Sequence, residues 1–190
     1  MMKKQLMAIA IAATAAFASG SANAAFIEGG LSFAGQGSPT PAATPWGAAT
    51  GVTFGNSIVT SVTPGGSYAA VAFATPVNFT SFTFSPALSP SPVDPLWSFS
   101  SGGSTFSFTL TSLQVIAQTG DFLNLSGEGT LKATGLEDTK GYWQFTGQGP
   151  IGNFSVSSSS GAVPLPGTLA LLGLGLFGAA GVTRRVVKAA

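Results

Sequence analysis

The sequence predicts an all-β fold: an antiparallel β-sandwich or barrel-like body, with an N-terminal signal peptide and one C-terminal transmembrane helix at its ends. Three observations carry this reading. Short runs with period-2 alternation recur through the body and are separated by Gly, Pro and Ser clusters. No stretch of the body holds a helical period. At each terminus an apolar segment lies next to cations.

The first observation gives the strands. Alternation is clear in Ile58 to Val62, Tyr68 to Ala74, Phe106 to Leu110, Leu113 to Ala117, Phe122 to Leu125 and Trp143 to Phe145. Between them stand chain breakers such as Thr63-Pro64-Gly65-Gly66, Ser101-Gly102-Gly103-Ser104 and Gly147-Gln148-Gly149-Pro150. Many short strands rich in β-branched and aromatic residues are the pattern of a sandwich or barrel.

An internal echo adds two hairpins. Trp97-Ser98-Phe99-Ser100, a Gly-rich turn and Phe106-Ser107-Phe108 recur as Trp143-Gln144-Phe145-Thr146, a turn and Phe154-Ser155-Val156, with the second loop two residues longer. Trp and Phe at i and i+2 share one face of a strand, so each pair is expected to face the core. An exposed aromatic platform for sugar is the alternative use of the same residues, and strand aromatics are more often core.

The N-terminus has the three parts of a secretory signal. Lys3 and Lys4 precede an apolar run from Leu6 to Phe17, and Ala22-Asn23-Ala24 gives the small-x-small pattern of a cleavage site, so the mature chain is expected to begin at Ala25. The apolar run is short for a membrane span and no stop-transfer charges follow it.

At the C-terminus, Leu165 to Val182 is apolar on every side and is followed by Arg184, Arg185 and Lys188. Its 18 residues would reach roughly 27 Å as a helix, against a hydrocarbon core of about 30 Å. The adjacent arginines would stop transfer and keep the last residues cytoplasmic, leaving the body outside. Gly167, Gly173, Gly175, Gly178 and Gly181 weaken the helix, at about 1 kcal/mol each in a soluble helix interior, and suggest a segment meant to be recognised and cut.

The chain therefore divides into residues 1–24, a signal peptide; 25–162, an extracytoplasmic all-β domain of 138 residues; and 163–190, a sorting tail with a transmembrane helix over about 167–183. The domain is large enough for one core. Its charge is hidden by the termini: the whole chain is at +1, yet the body has only Lys132 and Lys140 against six carboxylates, a net of −4. An acidic, Arg-free body is a poor partner for phosphate backbones, which argues against nucleic-acid binding.

The tail Val163-Pro164-Leu165-Pro166-Gly167, with the Gly/Leu-rich stretch and Arg184-Arg185 after it, resembles the PEP-CTERM sorting signal. In that family a Pro-Glu-Pro-type motif precedes a hydrophobic helix and a basic cluster; here Leu165 stands where the motif has Glu. The resemblance covers the last 28 residues. It implies processing by exosortase, a membrane-embedded cysteine transpeptidase of exopolysaccharide-making Gram-negative bacteria, after signal peptidase has acted at the other end. It also implies transient anchoring in the inner membrane, then the cell surface or the extracellular matrix, with exopolysaccharide as a partner there. Leu165-Pro166-Gly167-Thr168 also matches four residues of the Gram-positive sortase motif. Leu169, however, stands where that motif has the Gly after the cleaved bond, and the Pro-Leu-Pro run fits the exosortase family. The stretch from Leu96 to Val156 is similar in wording to modules of PEP-CTERM proteins of unassigned function, and brings no catalytic residue with it.

Composition limits chemistry in the body. The chain has no histidine and no cysteine, so Ser-His-Asp and Cys-His nucleophiles, thiolate redox sites and Cys/His zinc sites are excluded. Carboxylates remain. Glu128 with Glu137 or Asp138 would serve a glycosidase if the fold set them across a bond, and Asp121 or Glu137-Asp138 would suit Ca²⁺ in a loop, although solvated loop charges are the commoner origin of such residues. The sequons at Asn78, Asn124 and Asn153 are expected of chance in a Ser/Thr-rich chain. No catalytic, cofactor-binding or metal-binding residue is assigned. The sequence is read as a non-enzymatic surface or matrix protein, with a carbohydrate-binding module or carboxylate-based carbohydrate-active enzyme as the alternative.

Overall fold

A computed structural model describes residues 24–149 and 153–160; the sequence features at Lys3 to Asn23 and from Val163 onward lie outside the described residues. Nine strands follow in chain order: β1 (Gly30–Thr40), β2 (Gly51–Val62), β3 (Pro76–Phe79), β4 (Phe82–Thr83), β5 (Val93–Ser101), β6 (Ser104–Thr119), β7 (Phe122–Ala133), β8 (Thr139–Gln148) and β9 (Asn153–Ser160). The one helical element among the described residues is a 3₁₀ turn at Trp46–Ala48.

Every strand pairing is antiparallel, and the order β1-β9-β8-β7-β6-β5-β3-β2 returns to β1, which closes eight strands into a barrel. The short β4 is a ninth strand, paired to β2 through Gly51 and Val52. Of the two architectures the sequence allows, the barrel is the one formed. Closure gives each of the eight strands a neighbour on both sides over at least part of its length. Gly102 and Gly103, both at positive φ (59° and 81°), make the two-residue turn between Ser101 and Ser104.

Alternation fills the interior with rings. On β8, Thr139, Gly141, Trp143, Phe145 and Gly147 are buried, while Lys140, Tyr142, Gln144 and Gln148 are exposed. Phe33, Trp97, Phe99, Phe106, Phe108, Trp143, Phe145 and Phe154 meet in a continuous core, with near-parallel contacts such as Trp97 to Phe99 (5.8 Å) and Trp143 to Phe145 (5.9 Å). Such pairs contribute about 0.5–1.5 kcal/mol beyond area burial. Small residues make room for them. A Cβ on Gly141 would stand 2.7 Å from the Leu131 side chain and 3.1 Å from the ring of Phe108.

Both ends of the barrel are stoppered. At one, Trp46 lies on Gly147, whose added Cβ would meet the indole at 2.8 Å, and Gln118 Nε2 donates to the carbonyls of Trp46 (3.1 Å) and Ala49 (2.7 Å). At the other, Ile27, Tyr68 and Val71 are buried, with Tyr68 5.2 Å from Phe106. The indole N–H groups of Trp46, Trp97 and Trp143 have no hydrogen-bond partner, a cost of about 1–3 kcal/mol each that ring packing has to exceed.

The structure corrects three expectations. Tyr68 to Ala74 is not a strand: it runs as turns, because its apolar residues serve the end stopper, where Tyr68 and Val71 point inward from a loop. Phe106 to Leu110 and Leu113 to Ala117 are one strand, β6, carried past two β-bulges. The echoed hairpins both form but in different registers. Trp97 faces Phe108 and Phe99 faces Phe106, whereas Trp143 faces Ser158, Phe145 faces Val156 and Gly147 faces Phe154. The second hairpin sets rings against smaller side chains.

Candidate functional site

The outer wall of β7, β8 and β9 gathers polar side chains in rows set by the ladder register. Ser126, Gln144 and Ser157 form one row, and Glu128, Tyr142 and Ser159 the next. Between them is a shallow depression of about 310 Å³, lined by Ser126, Tyr142, Trp143, Gln144, Ser157 and Ser159. Tyr142 is 42% exposed. Lys140 bonds Glu128 Oε2 at 2.9 Å, and its ammonium lies 5.4 Å from the centre of the Tyr142 ring. The hydrogen bond to Glu128 and the carboxylate charge raise the Lys140 pKa, so its ammonium keeps its proton at neutral pH.

The other carboxylates stand apart from this wall. Glu128 is mid-strand in β7, while Glu137 and Asp138 are in the connection before β8, where Phe26 bridges Glu137. Along the ladder, Leu131 opposite Thr139 sets Glu128 and Glu137 about five strand steps apart, roughly 17 Å. That exceeds the ~5–9.5 Å that either glycosidase geometry requires. Asp121 lies in the β6–β7 turn, and Asp94 accepts from Thr109 Oγ1 at 2.6 Å. Among the described residues no group of three or more His, Cys, Asp or Glu converges as a metal site.

The aromatic residues singled out by the echo are core. Trp97 and Trp143 are completely buried, each with its i+2 Phe, and Ser98 and Gln144 point outward. The exposed aromatic on the polar wall is Tyr142, whose signal in the sequence was its place between the inward Gly141 and Trp143. A second depression of about 420 Å³ lies along β1 and β2, lined by Ala34, Gly35, Gln36, Asn56 and Ile58 with Phe154 of β9, where β2 is bulged at Gly55 and Asn56 opposite Gln36.

Both exits of the chain are at one end of the barrel. The Ala25 carbonyl accepts from Glu137 N (3.0 Å), and Ser160 N donates to Gly29 O (2.9 Å), so the first and last described residues flank the same rim. Ala24 and Ala25 are exposed there; Ala22 lies outside the described residues. Leu165, Arg184 and Arg185 also lie outside them, and among the described residues no helix is long and apolar enough to cross a membrane.

The family description "PEP-CTERM protein-sorting motif" matches residues 162–185, a span that includes Val163, Pro164, Leu165, Pro166, Gly167, Arg184 and Arg185. The chain carries a PEP-CTERM sorting signal at its C-terminus. The signal implies export, transient membrane anchoring and exosortase as the processing partner. The match begins past the last strand and covers none of the barrel. No curated protein and no solved structure matches the chain.

Proposed function

We propose that this chain is a non-enzymatic barrel displayed at the cell surface or in the exopolysaccharide matrix of a Gram-negative bacterium. In this reading signal peptidase removes residues 1–24, the segment at about 167–183 holds the barrel to the inner membrane, and exosortase then acts on the PEP-CTERM tail. The observation that carries it is the sorting signal beginning two residues past the last strand, at Ala162. From Ser160 to Gly167 the chain can reach at most about 25 Å, so the rim that bears both exits faces the membrane before processing. A ring-filled interior, stoppered at both ends, and separated carboxylates support a role in surface structure over catalysis.

Mass determination on the natural protein tests this. A mature form starting at Ala25 and lacking the residues after the Pro164-Leu165-Pro166 motif is expected; an intact species starting at Met1 or ending at Ala190 overturns it. Reporter fusions check the topology: one active only in the periplasm should give signal after Ser160 and none after Lys188, and signal from both would mean that Arg184 and Arg185 do not stop transfer.

The outer wall favours a second reading, a neutral-glycan contact. Tyr142 offers a ring edge beside the amide of Gln144 and the hydroxyls of Ser126, Ser157 and Ser159, uncharged groups suited to sugar hydroxyls. Tyr142→Ala and Gln144→Ala should lower retention on the host's own polysaccharide with the fold intact; unchanged retention removes this reading.

A further inference from the structure

Two phenylalanines are exposed among the described residues, Phe26 (49%) and Phe73 (74%), and both belong to the end of the barrel from which the chain exits. Phe26 lies over the start of β8. It bridges Glu137, while the next residue, Ile27, is buried and donates its N–H to Thr139 Oγ1 (2.9 Å). Phe73 lies in the connection from β2 to β3, whose near limb is tied to the same rim by Ser67 N donating to Glu28 O (2.8 Å). Ser160, at the end of β9, leaves between the two rings, because β9 has β8 on one side and β1, then β2, on the other.

The Phe73 loop is held in place. Tyr68 and Val71 are buried beneath it, Ala74 N donates to Val59 O (2.9 Å), Val59 N donates to Thr75 O (3.0 Å), and Thr75 Oγ1 donates to Ala72 O (2.7 Å). Its exposed side chains from Ala69 to Ala74 are four alanines and Phe73, which carry no donor or acceptor for a sugar hydroxyl. From Gly29 to Val93 the chain has no charged residue, so this side of the barrel enters a less polar medium without stripping water from an ion. The opposite rim differs: among the described residues, Pro41 to Thr50, Ser85 to Pro92 and the Gly120-Asp121 turn expose no large apolar side chain. Val115 and Ile116 are exposed on β6 past Leu110, where β5 stops pairing with it, on the half of the strand away from the exits.

Position selects the occupant. In the anchored form the bilayer is within about 25 Å of Ser160, the reach of the chain to Gly167. A tether that short makes the encounter intramolecular, so two rings suffice where a free protein would need a larger apolar face. Glu28, Glu137 and Asp138 stand at this rim against Lys132 and Lys140, which leaves no excess of cations to draw it to anionic lipid. The rings are what it offers a membrane.

We propose that the exit rim is a lipid-contacting surface, in which Phe26 and Phe73 enter the polar layer of the bilayer on either side of the departing tail. That layer is roughly 5–8 Å thick on each side of the hydrocarbon, the depth at which apolar groups of interfacial segments rest. The far limb of the Phe73 loop lies beside Val59, roughly 10 Å short of the end of β2, so the barrel leans toward β1, between the two rings. This rests on the tail-anchored reading above. It seats the barrel on one rim and holds the segment after Ser160 at the membrane surface.

The absence of native cysteine makes the test simple. The full chain, expressed with export and purified from the membrane in detergent, is reconstituted in phosphatidylcholine vesicles. It carries a nitrobenzoxadiazole label at Ala70→Cys or, on the opposite rim, at Ala42→Cys; both alanines are exposed. With a nitroxide on the lipid near the headgroup, the Ala70 label should lose most of its emission and the Ala42 label almost none, in low and in high salt alike. Phe26→Ser with Phe73→Ser should restore much of the Ala70 emission, while near-ultraviolet circular dichroism shows the tryptophan core unchanged. Chains that float with the vesicles but keep an unquenched Ala70 label overturn the rim contact alone. Quenching that persists in the double variant assigns the proximity to the tether and overturns the role of the rings, and a label that brightens without lipid quenching is covered by protein and overturns the choice of lipid. Chains that do not float overturn the anchored reading and this proposal with it.

Discussion

Tyr142 and Trp143 are consecutive aromatic residues of one strand, and the pleat sends them to opposite sides of the barrel. Trp143 stacks on Phe145 in the core and is inaccessible to solvent, while Tyr142 lies against Lys140 on the outer wall with 42% of its surface exposed. The difference teaches that residue type alone does not mark a binding aromatic in this chain. Parity does: a side chain's place in the alternation decides whether its ring supports the fold or is free to meet a ligand.

The comparison breaks first, and most severely, at the inner ring. Trp143→Ala and Trp97→Ala should each cost about 3–5 kcal/mol, a large share of the roughly 5–15 kcal/mol of a folded domain. Denaturant unfolding would show this as a lower midpoint; a midpoint equal to the parent's would mean the rings carry no packing load.

Overfilling the interior should be the next largest effect. Gly147→Leu forces a side chain into the Trp46 ring, which a Cβ alone would already meet at 2.8 Å, and should destabilise by about 1–3 kcal/mol. In a Trp46→Ala background the same change should cost less, because the two sites share one space. Strict additivity in that double-mutant cycle would place the stopper elsewhere.

The alkaline limb sharpens the contrast by chemistry. Burial pushes the Tyr68 phenol pKa well above 10, so above that pH the unfolded chain has lost a proton that the folded chain keeps. Stability contributed by the neutral phenol is complete below pH 10. It falls by roughly 1.4 kcal/mol per pH unit as pH rises above 10, until the folded phenol also ionises. Unfolding followed from pH 9 to 11 should show this slope, and Tyr68→Phe should flatten it; an unchanged slope would assign the alkaline loss to other groups.

Smallest of all should be changes on the outer wall. Tyr142→Ala is expected within about 0.5 kcal/mol of the parent, and a double-mutant cycle on the exposed Lys140–Glu128 pair should show little coupling, weaker still in high salt. A loss at Tyr142 as large as that at Trp143 would erase the distinction between the two faces.

Local pattern made much of the barrel legible. Alternation placed five of the six expected strand runs within strands, and the i, i+2 spacing of Trp97-Phe99 and Trp143-Phe145 named core residues that are completely or almost completely buried. Four elements escaped it, β1, β3, β4 and the 3₁₀ turn, and the first and last show why. In β1, Gly35 and Gly37 interrupt the side-chain signal, although Leu31 and Phe33 are buried and the strand closes the barrel against both β2 and β9. Trp46 gave no periodic cue, since it stoppers the barrel from a 3₁₀ turn.

By itself the sequence determined the all-β class, the inward parity of the tryptophans, the exclusion of histidine and cysteine chemistry, and the sorting signal, because each depends on neighbours in the chain or on composition. Tertiary structure decided the rest. Closure of eight strands, the unlike registers of two similar hairpins, the turn at Tyr68, the separation of Glu128 from Glu137 and the open edge of β6 all depend on which distant strands meet and where their pairing stops. Long-range packing sets those limits: a ring such as Phe108 fits only where Gly141, three strand positions before Gln144 and far from Phe108 in the chain, leaves it space.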